Sequence, residues 1–415
     1  MKNMCPYILI FIFPVILITG GIIVSPGDEI LKGLAEIVIV PSILLTDYIA
    51  VGGLGATLIN AGLCGLISAL IILFNRITVN GPFIAAVYTV IGFAFFGKNI
   101  INIWPIFAGV WLYAKYQGTE FRNYLVVALF GTTLSPMVSF LAFGAGLSLF
   151  YSIPMGIASG VFAGFILPPL ASHMLRFHDG YNVYNIGFTG GIIGSFLSAL
   201  FRSFNFNIET VQILATDHSM FMGVLLNCFF IILIFAGSIL SRNDLEGMKD
   251  SAVSILKSSG RLVSDFVRIG SFEATLVNMG IMGLISSAFV VILDGSFNGP
   301  VVGGILTVVG FAAFGKHPRN CIPILFGVVL ASFVKIWDVN TTSVIIAGLF
   351  GTTLAPIAGQ YGFFAGIMAG FFHLSIVMNV VVLHGGINLY NNGFAGGFVA
   401  SLLVPLIDAL RRQEE

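Results

Sequence analysis

The sequence predicts an all-α polytopic membrane protein made of two homologous halves in inverted topology. Three observations carry this reading. Of 415 residues only 9% are Asp, Glu, Lys or Arg, while 57% are apolar, with 40 Phe and 50 Gly; soluble domains carry roughly 25% charged residues. The apolar runs are about 18–22 residues long and do not alternate, which fits membrane helices and excludes a membrane β-barrel. Finally, four blocks recur in the same order. ATLINAGLCGLIS from Ala56 returns as ATLVNMGIMGLIS from Ala274, and VNGPFIAAVYTVIGFAFFGK from Val79 returns as FNGPVVGGILTVVGFAAFGK from Phe297. LFGTTLSP from Leu129 returns as LFGTTLAP from Leu349, and HDGYNVYNIGFTGG from His178 as HGGINLYNNGFAGG from His384. Offsets that stay between 206 and 220 residues describe a tandem duplication, residues 1–205 and 206–415.

In chain order, Tyr7–Val24 follows the basic start MKNM as a signal peptide would. No small-x-small cleavage pattern follows it, and Phe221–Leu240 holds the same place in the second copy, so it reads as a retained span. A polar, amphipathic stretch comes next, then Leu54–Phe74, Pro82–Phe96, Ile101–Tyr116, Tyr124–Phe143, Tyr151–Leu175 and Val183–Phe201. The second copy repeats the order with Leu276–Leu293, Pro300–Phe314, Cys321–Ile336, Ser343–Tyr361, Phe363–Leu383 and Leu389–Leu406. Segments beginning at Pro82 and Pro300 are short for a hydrocarbon core of about 30 Å and read as candidate half-helices, which puts the total at about 10–14 segments. Between the copies, residues 241–273 hold five acidic and five basic residues, and ILKSSGRLVSDFVRIG within them reads as an amphipathic helix on the cytoplasmic surface.

Seven segments per copy is an odd number, so the second copy runs upside down relative to the first. Basic residues test this independently, because cytoplasmic loops are rich in Lys and Arg. With all segments crossing and both termini cytoplasmic, the inner set is Lys2, Arg76, Lys115, Arg122, Arg176, Arg242, Lys249, Lys257, Arg261, Arg268, Lys316, Arg319, Arg411 and Arg412. Only Lys32, Lys98, Arg202 and Lys335 fall outside. The expected location is the inner membrane, with lipid and a small-molecule solute as partners and a homo-oligomer as assembly.

Several function classes drop out. Basic and acidic residues balance at 18 each, so no field gathers nucleic acid. No HExxH, GxSxG, Walker or dinucleotide motif points to an enzyme or a cofactor. Cys5, Cys64, Cys228 and Cys321 are scattered without CxxC spacing, which predicts neither a disulfide framework nor a metal site. Asp294, Asp179, Asp338 and Glu120 sit at segment ends, and Asp47 precedes the first repeated block, which predicts almost no ionisable groups at mid-depth.

What the copies share is neutral and polar. Asn60 and Asn278 lie in apolar helices; Asn80 and Asn298 open the short segments as Asn-Gly-Pro. Thr132-Thr133 and Thr352-Thr353 interrupt one segment of each copy, and Asn185 and Asn391 start the last. Each has a structural reading as helix cap, interhelical glue or interfacial anchor. Together they also fit a solute path, since broken segments occur where backbone lines a cavity between inverted repeats. His178 and His384 match one another near segment ends and read as satisfied interfacial histidines.

Asn-Gly-Pro before a Gly-rich helix, followed by the Gly-Leu-Phe-Gly-Thr-Thr-Leu-Ala-Pro run ending at Pro356, is similar to the pattern in each half of the urea transporters. The whole chain resembles a bacterial family of duplicated membrane proteins with no assigned function. The first resemblance implies a pore between inverted halves and a urea-like amide as solute. The expected function is therefore a conduit for a small neutral polar solute. The alternatives are an ion-coupled carrier for a small metabolite, and a membrane scaffold or lipid-active enzyme.

Overall fold

A computed structural model describes residues 5–411; Lys2 and Arg412, counted above on the inner face, lie outside them. The first half contains α1 (Cys5–Val24), α2 (Gly27–Ile39), α3 (Tyr48–Phe74), α4 (Gly81–Phe93) and α5 (Trp104–Tyr116). It closes with α6 (Phe121–Gly144), α7 (Leu149–Phe177) and α8 (Asn185–Ser203). The second half repeats the series as α9 (Ser219–Leu240), α10 (Leu245–Lys257), α11 (Phe272–Ile292), α12 (Gly299–Phe311) and α13 (Pro318–Val334). It ends with α14 (Thr342–Tyr361), α15 (Phe363–His384) and α16 (Asn391–Arg411). Among the described residues there are no strands, only isolated bridges at Thr46–Ile213 and Asp265–Phe314. Among the described residues ten helices are long and apolar enough to cross a membrane, five in each half. Phe74, Phe150, Ile336 and Phe364 stand fully out on the periphery, as lipid-facing side chains do.

The polytopic helical fold expected from the sequence is therefore what forms, with two refinements. The segments at Pro82 and Ile101 become 13-residue helices, about 20 Å each at 1.5 Å per residue, so α4 and α5 fall short of a 30 Å core. Since short helices come in pairs in both halves, the odd parity of the five long ones survives.

The second refinement concerns residues 241–273. Only Leu245–Lys257 is helical there, because Ser258 turns the chain extended and residues 258–265 run inward against the core, before one helical turn at Phe266–Ile269. The expected single amphipathic helix through Arg268 does not form. Its first half is the counterpart of α2, and its second half the counterpart of residues 40–47, so this stretch belongs to the second repeat's architecture.

The centre of the molecule is an antiparallel pair, α4 against α12. A Cβ on Gly92 would lie 2.8 Å from the Gly303 carbonyl oxygen, and one on Gly303 would lie 2.7 Å from that of Gly92, so only glycine lets the backbones touch. At the α4 end Tyr48 N–H donates to Phe95 O at 2.9 Å, and at the α12 end Phe266 N–H donates to Ala313 O at 3.1 Å. The two helix starts therefore lie at opposite ends of the pair, about 20 Å apart. They do not converge.

Candidate functional site

Asn80 and Asn298 sit at the caps of α4 and α12, accepting from Phe83 N–H at 3.4 Å and Val301 N–H at 3.2 Å. Asn298 also donates to Thr342 Oγ1 at 2.8 Å. Each helix start receives a carboxylate from the opposite half. Asp47 accepts from Gly299 N–H at 2.9 Å, Ala215 N–H at 3.0 Å and Ile49 N–H at 2.9 Å. Asp265 accepts from Gly81 N–H at 3.0 Å and Val267 N–H at 3.1 Å. The positive end of each central helix thus meets a negative charge supplied across the repeat boundary.

At their far ends both central helices make a tight turn through Gly97 (φ 142°) or Gly315 (φ 99°) and then present a lysine. Asn60 donates to Ala94 O at 2.8 Å and Lys98 O at 2.9 Å, closing the first turn; Asn278 donates to Ala312 O at 2.7 Å and Lys316 O at 2.8 Å, closing the second. Their amides are used up in this role. Lys98 and Lys316 are both 0% exposed. The sequence placed them in water on opposite faces and expected almost no ionisable groups at mid-depth. That expectation is corrected: the turns are stitched inward by these asparagines, so the lysines close into the protein instead of snorkelling out.

Around them stands an aromatic plug. Phe93 stacks on Phe350 at 5.5 Å and Phe311 packs on Phe130 at 5.4 Å. Tyr390 meets Phe93 edge-on at 4.7 Å, and Tyr184 meets Phe311 likewise at 4.7 Å. The two tyrosine rings face each other at 4.9 Å where α8 and α16 begin. Lys98 Nζ lies 5.0 Å from the Phe93 ring, and Lys316 Nζ lies 5.3 Å from Phe311 and 4.3 Å from Tyr184.

The threonine pairs sit beside the plug. α6 and α14 pass through a 3₁₀ turn at Thr132–Leu134 and Thr352–Leu354, the break read from sequence. Thr132 and Thr352 donate to their own i−3 carbonyls, Leu129 O at 2.6 Å and Leu349 O at 2.5 Å. Thr133 Oγ1 bonds Asn388 Oδ1 at 2.9 Å and accepts from Tyr390 N–H at 3.0 Å; Thr353 makes the mirrored bonds to Asn182 and Tyr184. The second threonines are cross-repeat ties. Asn185 and Asn391 bond His178 Nε2 at 3.0 Å and His384 Nε2 at 2.9 Å.

Two clefts reach the plug from opposite ends, related by the same pseudo-twofold axis. One, of about 180 Å³, is bounded by Leu44, Leu45, Phe96, Phe350, Leu389 and Asn391. The other, of about 170 Å³, is bounded by their counterparts Leu262, Val263, Phe314, Phe130, Val183 and Asn185. The first adds Thr210, Gln212, Ser343 and Asn392 and is the more polar. Of the residues singled out from sequence, Asn391 and Asn185 reach the clefts.

Sequence reasoning missed Asp47, Asp265, Lys98 and Lys316 as a set, and read Tyr184 and Tyr390 as caps and interfacial anchors at the start of the last segments. A signal existed. Asp47 and Asp265, like Lys98 and Lys316, are separated by 218 residues, the offset of the first two repeated blocks. A charge kept at one repeat register inside apolar sequence marks a position that the fold brings to the repeat boundary.

A family model described as Protein of unknown function (DUF1576) matches residues 27–203 and again 244–409. The matches begin at α2 and α10 and so cover the duplicated unit without α1 or α9. Comparison with curated proteins and with solved structures gives no match.

Proposed function

The chain belongs to the DUF1576 family, and we propose that it moves a small polar solute across a bilayer along the seam between its halves. The observation that carries this reading is the pair of symmetry-related clefts ending on one aromatic plug, with a buried lysine on each side of it. Inverted repeats are suited to such a task because the same geometry serves both faces. A urea-like amide fits the available chemistry: its carbonyl accepts from Lys Nζ or Tyr OH, and its N–H groups donate to hydroxyl and amide oxygens. On this reading the protein is not an enzyme, resides in the inner membrane with both termini cytoplasmic, and associates as a homo-oligomer.

Purified protein in liposomes tests the reading by stopped-flow swelling with urea, formamide and glycerol. Swelling faster than in protein-free vesicles is expected for at least the amides; identical rates for all three count against passive conduction. The topology is tested by cysteines at Lys249 and Ser296, both exposed, in a cysteine-free background. Labelling is expected from the inside and the outside respectively, and labelling of both from one face would overturn the arrangement.

A second reading, coupled alternating access, is favoured by the unequal bonding of the two lysines described next.

A further inference from the structure

Lys316 Nζ donates to Tyr184 OH and, at 2.7 Å, to Thr352 Oγ1. Lys98 occupies the mirrored position, yet its Nζ has no hydrogen-bond partner. Tyr390 OH, the counterpart of Tyr184 OH, has only Thr89 Oγ1 beside it, and neither reaches any other partner. All three atoms belong to residues that are essentially unexposed. Buried polar atoms are nearly always paired, so an unpartnered amine against the Phe93 ring, with the Tyr390 ring on that same phenylalanine, calls for an occupant. The mirrored site excludes a general failure of packing, since there Lys316 is bonded by Tyr184 and Thr352, and Thr307, the counterpart of Thr89, donates to Gly303 O at 2.7 Å.

We infer that Lys98 and Tyr390 form the binding centre for the carboxylate of a small monocarboxylate anion of about formate to acetate size. The inference rests on the transport reading above and narrows its solute class. Two facts select an anion over an amide. Lysine and tyrosine bring donors, and lysine has no acceptor to offer an N–H group. Among the described residues, moreover, the ion pairs are Arg122–Glu120 and Arg268–Asp265, and neither involves Lys98. An enclosed ammonium needs a countercharge, and no side chain supplies one. Tyr390 borders the less polar cleft, and the lysine side is approached from the more polar one. Leu389 bounds that cleft, and a Cβ on Gly97, next to Lys98, would lie 2.5 Å from Leu389 Cδ2, so this one side chain separates the cleft from the lysine turn. The size limit follows from the enclosure of the centre: Lys98 lines neither cleft and is fully buried, so only a small anion fits beside it.

The test is uptake of labelled formate and acetate into liposomes containing the full chain, with pH clamped, alongside the amide swelling assay. Wild type should take up at least one of the two, competed by the other, and Lys98→Met should lower uptake at least tenfold. Tyr390→Phe keeps the ring and removes only the hydroxyl; it should lower uptake several-fold and serves as the probe if Lys98→Met does not fold. Carboxylate uptake that persists unchanged in whichever variant folds overturns the assigned centre. Amide flux without carboxylate uptake overturns the anion inference and leaves the transport reading standing. Neither flux overturns both.

Discussion

Lys98 and Lys316 close the same turn, after the same glycine, at the ends of two helices that pack as mirror images, yet their surroundings differ in kind. Lys316 is engaged by Tyr184 and Thr352; the Lys98 amine lies over Phe93 with no hydrogen-bond partner, and the Tyr390 hydroxyl lies beside Thr89 instead. The same inequality runs outward. Asn182 Nδ2 donates to Gly393 O at 2.9 Å, while the equivalent Asn388 Nδ2 has no partner. A duplicated scaffold fixes backbone positions by symmetry, but hydrogen bonding is settled side chain by side chain. The cluster around Lys316 is internally satisfied, and the Lys98 amine is not.

The largest expected effect separates the two cross-repeat carboxylates. Asp47 uses both oxygens, with Oδ2 accepting from Ala215 and Gly299, whereas Asp265 accepts both amides on Oδ1 and turns Oδ2 toward the exposed Arg268. Asparagine keeps one acceptor oxygen, so Asp265→Asn should cost under about 1 kcal/mol. Asp47→Asn loses the charge and, whichever way the amide turns, sets its NH₂ against at least one buried N–H, that of Ile49 if the oxygen keeps Ala215 and Gly299, and should cost about 3 kcal/mol. Thermal unfolding in detergent reads the difference, and equal losses would show that the clasps are not differently built.

Next come the lysines. Lys316→Met strands a buried tyrosine hydroxyl and should cost about 2 kcal/mol. Lys98→Met removes an amine with nothing to lose and should leave Tm unchanged or raise it. If both destabilise alike, Lys98 is satisfied in the folded protein and the contrast between halves collapses.

The threonine ties give the control, because there the halves match. Thr133→Val and Thr353→Val each delete a bond to an asparagine and one to a tyrosine amide, so each should cost about 1.5 kcal/mol. A gap between them beyond about 0.5 kcal/mol would extend the asymmetry to the seam itself. The smallest effect belongs to the caps. Asn298→Ala should cost about 1 kcal/mol, and Asn80→Ala about half that, because its bond at 3.4 Å is longer and it lacks the tie to Thr342. Solute flux measured on the same two variants tests their place on the path: retained flux with lost stability makes them caps alone.

Much of the scaffold is legible along the chain. Asn-Gly-Pro marks the central helix starts, the Thr-Thr break marks the 3₁₀ turns, and the block offsets pair every helix with its mate. Site chemistry was less legible. Asn60 and Asn278 look like polar groups awaiting a solute because sequence does not show the carbonyls of the turns they close. Asp47 looks like a loop carboxylate because its main partner, Gly299, lies 252 residues away.

By itself the sequence determined that this chain lives in lipid, that it is helical and that it is double. Composition, run length and repetition are properties of the chain and need no contacts to read. Tertiary structure alone decided which lysine is paired, which carboxylate crosses to which helix, and that the central helix starts lie at opposite ends of their pair. The reason is physical. A lysine after a short helix has enough reach for either water or the interior, and local sequence is indifferent between them. Only the packing of α4 on α12, which sinks both turns into an aromatic core, makes burial of Lys98 and Lys316 the outcome.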